Sequence, residues 1–221
     1  AGRAELPLGA LLFLVERLVL GLDLVEVLLP RAARKDERRE RPPFTDEWPG
    51  LDLDTGYQIQ DLNLAKRLER GEKLIGVKLG LTSRAKQQRM GVHFPFVAWL
   101  TDAMVLPVGD PVPQDRLIHP RIEPEIVFVM GDRLEGPGIT CAQAMGAVES
   151  VWGGAEVIDS RYQDFRFTAG DVAADNASSG AFVTGPTLEL LPAIEVFATG
   201  FDDLPALFFL MIRRPPRSTR N

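Results

Sequence analysis

The sequence predicts an α+β domain, with both strands and helices, and three observations carry that prediction. The run 119–129 is rich in β-branched and aromatic residues. A second acidic strand of matching character follows at 155–161, and between and before them lie stretches with helix-capping residues and glycine stops. At 221 residues and 45% hydrophobic content, the chain can bury a substantial core and is expected to form one domain, or one domain with an appended segment.

Charge and cysteine content narrow the function. The net charge of −6 and the scattered basic residues argue against a nucleic-acid partner, and a small anionic substrate would need a metal or a local arginine to bind. Cys141 is the sole cysteine, which excludes a disulfide framework and a thiolate metal cluster and fits a reducing cytoplasm. His93 and His119 are too few for a histidine-rich metal site.

Residues 1–43 read as a leucine-rich helix followed by a charged connector. Positions 11–29 are almost wholly apolar, but Glu16, Arg17, Asp23 and Glu26 interrupt them, and such charges cost about 2.5 to 3.5 kcal/mol each near a bilayer centre. A membrane span is therefore not expected. Nor is a signal peptide, because charges fall inside the apolar region and no small-residue cleavage site follows. The mixed charges of 31–41 suit a solvated helix or linker.

From Pro42 the texture becomes that of a folded domain. Asp54 is placed to cap a helix that turns Tyr57, Leu64, Ala65 and Leu68 inward, with Lys66, Arg67 and Arg70 in its last turn and Gly71 ending it. Residues 74–79 form a short strand with Lys78 near its end. Gly80, Leu81, Thr82 and Ser83 then lead into a helix over 84–90, closed by Gly91. A strand, a glycine and a hydroxyl-bearing cap can offer backbone N–H groups to an anion, and equally suit a plain strand-to-helix turn. Residues 102–106 read as a further strand, before a loop marked by Pro107, Pro111 and Pro113.

Along 119–129, side chains two apart share a face, so Glu123, Glu125, Val127 and Val129 point the same way. Two carboxylates beside an apolar tail repel one another unless a positive charge lies between them, and a hard divalent cation with oxygen ligands answers that need. Two solvated glutamates at a strand end are the alternative. Thr140 then caps a helix through Cys141, Ala144, Met145 and Val148, the last two as core residues. Gly153 and Gly154 open the second acidic strand, where Glu156 and Ile158 share a face. Asp159 and Arg161 stand at its end, as a surface pair or as loop groups with chemistry. A polar loop, Asp175-Asn-Ala-Ser-Ser-Gly180, precedes a strand over 181–184.

Four ordered motifs, Gly76-Val-Lys78-Leu-Gly-Leu-Thr-Ser83, Leu117-Ile-His-Pro-Arg-Ile-Glu-Pro-Glu125, Glu156-Val-Ile-Asp-Ser-Arg161 and Ala174-Asp-Asn-Ala-Ser178, resemble the 4-oxalocrotonate decarboxylase and 2-hydroxypenta-2,4-dienoate hydratase family. The resemblance covers about 44–185. It implies a fumarylacetoacetate hydrolase-like mixed sheet, or β-roll, with flanking helices, and a Mg2+ or Mn2+ site made by Glu123, Glu125 and Glu156. It places Lys78 in the pocket and implies a small 2-oxo acid substrate of aromatic meta-cleavage catabolism. Thr82, Ser83, Ser160 and Arg161 join that pocket, with Arg121 or Arg161 pairing with a substrate carboxylate. It also suggests a homo-oligomer and an assembly of decarboxylase with a partner hydratase.

The two activities are harder to separate. Hydratase members resemble one another in carrying an aspartate eighteen residues after the motif lysine, where this chain has Phe96, so that proton-transfer role is vacant unless Asp102 substitutes. The decarboxylase reading is preferred, the hydratase is the alternative, and an inactive fragment or binding-only member of the fold is a third. The domain expectation is a segment 1–43 unlike the family, a catalytic unit 44–186, and a tail 187–221. That tail ends in a run resembling a translated sequencing adapter, and the expected sheet is incomplete at its C-terminal side with an unpaired edge.

Overall fold

The computed structural model describes residues 38–188 and 208–213, and in it the helices and strands build a six-stranded mixed sheet. In chain order these are α1 (Phe44–Glu47), α2 (Leu53–Glu69), β1 (Leu74–Gly80), α3 (Arg84–Met90), β2 (Phe96–Thr101), β3 (Arg121–Met130), α4 (Cys141–Gly146), β4 (Val148–Ile158), α5 (Ala169–Ala174), β5 (Ser179–Leu188) and β6 (Phe208–Arg213). The sheet order is β2-β1-β6-β3-β4-β5. All neighbours are antiparallel except β3 and β6, which run parallel. The leucine-rich segment expected over 11–29 lies outside the described residues. Among the described residues no helix is long and apolar enough to cross a membrane.

Several expectations are corrected. The cap of α2 is Asp52, whose Oδ1 accepts Thr55 N at 2.8 Å, two residues before Asp54. Its buried residues are Gly56, Ile59 and Gln60, while Ala65 and Leu68 face solvent. The reason is a close helix contact: a Cβ on Gly56 would lie 2.4 Å from Gly170 O, so α5 sits directly on that face. Residues 102–104 form a 3-10 turn, and the strand lies before them, at β2. Helix α4 ends at Gly146, Val148 begins β4, and Met145 is exposed.

Two stretches within the flanking segments make contacts with the rest of the fold. Arg41, read as part of a solvated connector, is buried: its N donates to Arg161 O at 2.8 Å, and its Nη2 reaches Glu47 Oε1 at 2.7 Å. Residues 208–213, within the tail 187–221 that is unlike the family, form β6 between β1 and β3. Phe-Phe-Leu-Met-Ile is a strand-forming apolar run, and two strand edges with free N–H and C=O groups attract such a run.

The core lies on the face of β3 that carries Val127 and Val129, packed with Leu100, Met104, Phe182 and Ile212. Along that face β3 grades from exposed Arg121 through half-buried Glu123 to buried Glu125, Val127 and Val129. One strand thus anchors itself in the core at one end and presents carboxylates at the other.

Candidate metal centre

Glu123 and Glu156 are cross-strand partners on β3 and β4, and Glu125 faces Gly154 in the same ladder. The register therefore sets three carboxylates on adjacent positions of one face. Carboxylate oxygens of Glu123, Glu125 and Glu156 all lie within 4.8 Å of one another. A Cβ at position 154 would stand 2.7 Å from Val127 Cγ2 and 2.9 Å from Val183 O, so only glycine lets the strands close to this register. The ladder between β4 and β5 shifts between Trp152 and Gly154, and such irregularities re-aim side chains beside sites.

Glu125 is 3% exposed and Glu156 1%, so two of these carboxylates are removed from water. Lys78, 2% exposed on β1, brings its Nζ to 2.7 Å from Glu156 Oε2 and donates to Ala177 O at 2.9 Å. Glu156 Oε1 is buried without a hydrogen-bond partner among the described residues. Among the described residues, the Lys78 ammonium stands against three carboxylates, a formal surplus of two negative charges in a largely dry place. A hard dication with oxygen ligands fits both that charge and that donor set.

The acceptor for Lys78 comes from a strained turn. Asn176, Ala177 and Ser178 have φ of 53, 48 and 57°, a conformation that costs non-glycine residues of order 1 to 3 kcal/mol each. Side chains fix it. Asn176 pairs with β2, its Oδ1 accepting Trp99 N at 2.8 Å and its Nδ2 donating to Trp99 O at 2.9 Å. Asp175, fully buried, accepts Arg161 N at 3.1 Å, Arg161 Nε at 2.5 Å and Ser178 Oγ at 3.3 Å.

The remaining sequence candidates separate. Arg161 is buried against Asp175 and supports the turn, so it does not form the expected surface pair with Asp159. Asp159 is buried and accepts Ile118 N and His119 N at 2.9 Å each, pinning the chain where it enters β3. Ser160 is buried, and its Oγ accepts Tyr162 N at 3.2 Å. Asp102 is exposed, its Oδ1 accepting Lys73 N at 2.8 Å, and it is not part of the converging group. Thr82 and Ser83 are half-buried at the β1–α3 turn, and Arg121 stands exposed at the start of β3. A cavity of about 320 Å3 lined by Arg38, Arg67, Met104, Asp115, Arg116 and Leu117, among others, contains none of the three glutamates. Sequence reasoning missed Asp159, Asp175 and Asn176 as organisers, although the run Asp-Asn-Ala-Ser is dense in turn-forming side chains.

Fold and donor set together define a candidate hard-cation centre built on a mixed α+β sheet. No family model matches the chain. A 2-hydroxypent-2,4-dienoate hydratase of Pseudomonas putida is 43% identical over 150 residues, 67% of this chain and 68% of that protein. The chain belongs to the 4-oxalocrotonate decarboxylase and 2-hydroxypenta-2,4-dienoate hydratase family, with its fumarylacetoacetate hydrolase-like fold. A 4-oxalocrotonate decarboxylase of Pseudomonas sp is 44% identical over 157 residues, 70% of this chain. The chain spans about six tenths of that relative's length, 61%. Among solved structures, the 4-oxalocrotonate decarboxylase from Pseudomonas putida G7 complexed with magnesium and adipate superposes with a TM-score of 0.70 at 36% identity. It covers 76% of this chain and 65% of that one. The same enzyme complexed with calcium and acetate gives 0.69 at 35% identity, with the same coverage.

Proposed function

We propose that this chain is the metal-binding part of a divalent-cation-dependent lyase that converts 2-oxohex-3-enedioate to 2-hydroxypenta-2,4-dienoate and CO2. The observation that carries the reading is the convergence of Glu123, Glu125 and Glu156 beside the Lys78 ammonium. The relatives' activities and the magnesium and calcium bound by the solved relative support it.

Glu123, Glu125 and Glu156 would hold Mg2+ or Mn2+, which supplies positive charge to the C1 carboxylate and 2-oxo group of a substrate. In the reaction the C5–C6 bond breaks and C6 leaves as CO2. Its electron pair forms C4=C5, the former C3=C4 pair forms C2=C3, and the C2 carbonyl oxygen takes the negative charge. Lys78 is held by Ala177 O and Glu156, so its ammonium is fixed where it can favour that charge or deliver the proton that makes the enol. Its burial excludes water and strengthens the effect. The family motifs suggest Thr82, Ser83 and Ser160 as substrate contacts.

Hydration of 2-hydroxypenta-2,4-dienoate is the second reading, favoured by the hydratase relative at nearly equal identity. Phe96 speaks against it: this ring, at the position of the hydratase acid, is buried in an apolar cluster with Ala98 and Val172 and moves no proton. The lone, exposed Cys141 accords with a reducing cytoplasm. The family resemblance is what suggests a homo-oligomer and a hydratase partner that consumes the product.

Supplying each substrate separately with Mg2+ tests the assignment. CO2 release from 2-oxohex-3-enedioate without consumption of the dienoate is expected. Consumption of the dienoate alone would overturn the choice, and turnover of neither would leave a binding-only member of the fold.

A further inference from the structure

We propose that the cavity between the last turn of α2 and the start of β5 is a binding site for a small organic carboxylate, separate from the glutamate centre. Its volume is about 320 Å3, and its lining includes Arg38, Arg67, Arg116, Met104, Leu117 and Ala181. Ligand pockets begin at about 300 Å3, so the space suits a short acid.

The sheet keeps the two sites apart. In the ladder between β4 and β5, Phe182 pairs with Glu156 and Ala181 with Val157. Successive strand residues point to opposite faces, so Ala181 and Val157 turn away from the glutamates. There they pack with Leu106 and Leu117.

Part of the lining is cationic. Arg67, in the last turn of α2, is half-buried and fixed: its Nη1 lies 3.3 Å from both Glu72 Oε2 and Thr101 Oγ1, and the Thr101 hydroxyl donates to Glu72 Oε2 at 2.6 Å. Its Nε and Nη2 have no hydrogen-bond partner among the described residues. Arg116 belongs to the 3-10 turn Gln114–Arg116. Arg38 is brought alongside because Arg41, three residues on, is tied to Arg161 O. Neither Arg38 nor Arg116 has a carboxylate partner among the described residues, and Asp115, the acid among the described lining residues, forms no ion pair with them.

Three guanidinium groups against Asp115 and the already paired Glu72 leave positive charge for an anion to neutralise. The planar guanidinium fork matches a carboxylate bidentately. Because Arg67 is held before any ligand arrives, binding costs it little ordering.

The same cavity presents buried Met104, Leu117 and Ala181, and this apolar surface selects the class of anion. Inorganic phosphate would satisfy the arginines and leave the apolar wall wet. An acid with a short alkyl chain covers both.

Calorimetric titration of the full chain in EDTA, with hexanoate and separately with inorganic phosphate, tests this. EDTA removes divalent ions from the glutamates, so an acid that needs a metal is lost and one held by the arginines remains. One saturable hexanoate site is expected, tighter than that for phosphate. Arg116→Leu should weaken hexanoate at least about fivefold. Ala103→Phe, which narrows the cavity and leaves its charges in place, should weaken hexanoate at least about fivefold and phosphate less than about twofold. Both residues are exposed, so the variants keep the fold. Absence of saturable hexanoate binding in EDTA, or binding that neither substitution weakens, would overturn the inference. Phosphate bound as tightly as hexanoate would overturn the assignment to an organic acid. Mg2+ binding at the glutamates is measured separately, so either claim can fail without the other.

Discussion

Replacing Lys78 by methionine separates the two roles its ammonium has in this site. The side chain keeps its length and loses its charge, so Glu156, buried beside it, is left without its 2.7 Å partner. Both groups are almost fully removed from water, and breaking such a pair from one side costs about 3 to 5 kcal/mol. For a chain of this size that corresponds to a fall in Tm of about 6 to 20 °C. The loss should depend on Mg2+. Without Lys78, the three carboxylates face a dication with one more uncompensated negative charge, so the ion binds more tightly and replaces the missing countercharge. Thermal unfolding in EDTA and at several Mg2+ concentrations is the assay. The expected result is a large deficit in EDTA and a Mg2+-induced rise in Tm greater in Lys78→Met than in the parent. Equal stability in EDTA, or equal Mg2+-induced rises, would refute the reasoning. Turnover in the variant is expected to be lost even with Mg2+ saturating.

Two further outcomes follow from the turn that supports Lys78 and the tyrosine beneath it. Asp175→Asn removes the carboxylate charge paired with the buried Arg161 guanidinium, and urea unfolding should show a loss of about 3 to 5 kcal/mol. Burial raises the Tyr162 phenol well above its ordinary value of about 10, with neighbouring Asp175 adding to the shift. The unfolded chain ionises near pH 10 while the folded one stays neutral, so this stability is complete below pH 10 and declines as pH rises above it. In Tyr162→Phe the decline between pH 10 and 11 should be shallower, after a loss of about 0.5 to 1.5 kcal/mol at neutral pH from the hydrogen bond to Asp171 O. An unchanged alkaline slope would count against the buried phenol as its source.

The glutamate trio was legible because a strand's two-residue period places Glu123 and Glu125 on one face wherever the strand sits. That Glu156 would stand opposite Glu123 was legible only through the family motifs, since register depends on a turn and a glycine contact far along the chain. The boundaries of β1 and α3 were readable from Gly80 and Gly91. The buried face of α2 was not, because it is chosen by contact with α5 rather than by its own apolar pattern. Charged residues misled most. Arg41 and Arg161 look solvated in sequence, and each is buried by a partner distant enough that no spacing rule links them.

Mg2+ titration of the parent chain and of Glu123→Gln, Glu125→Gln and Glu156→Gln, followed by calorimetry, tests the central claim most directly. The account predicts one saturable site in the parent, weakened at least tenfold by each substitution because each removes one charged ligand from the same ion. Parent-like Mg2+ binding in any of the three variants would contradict it.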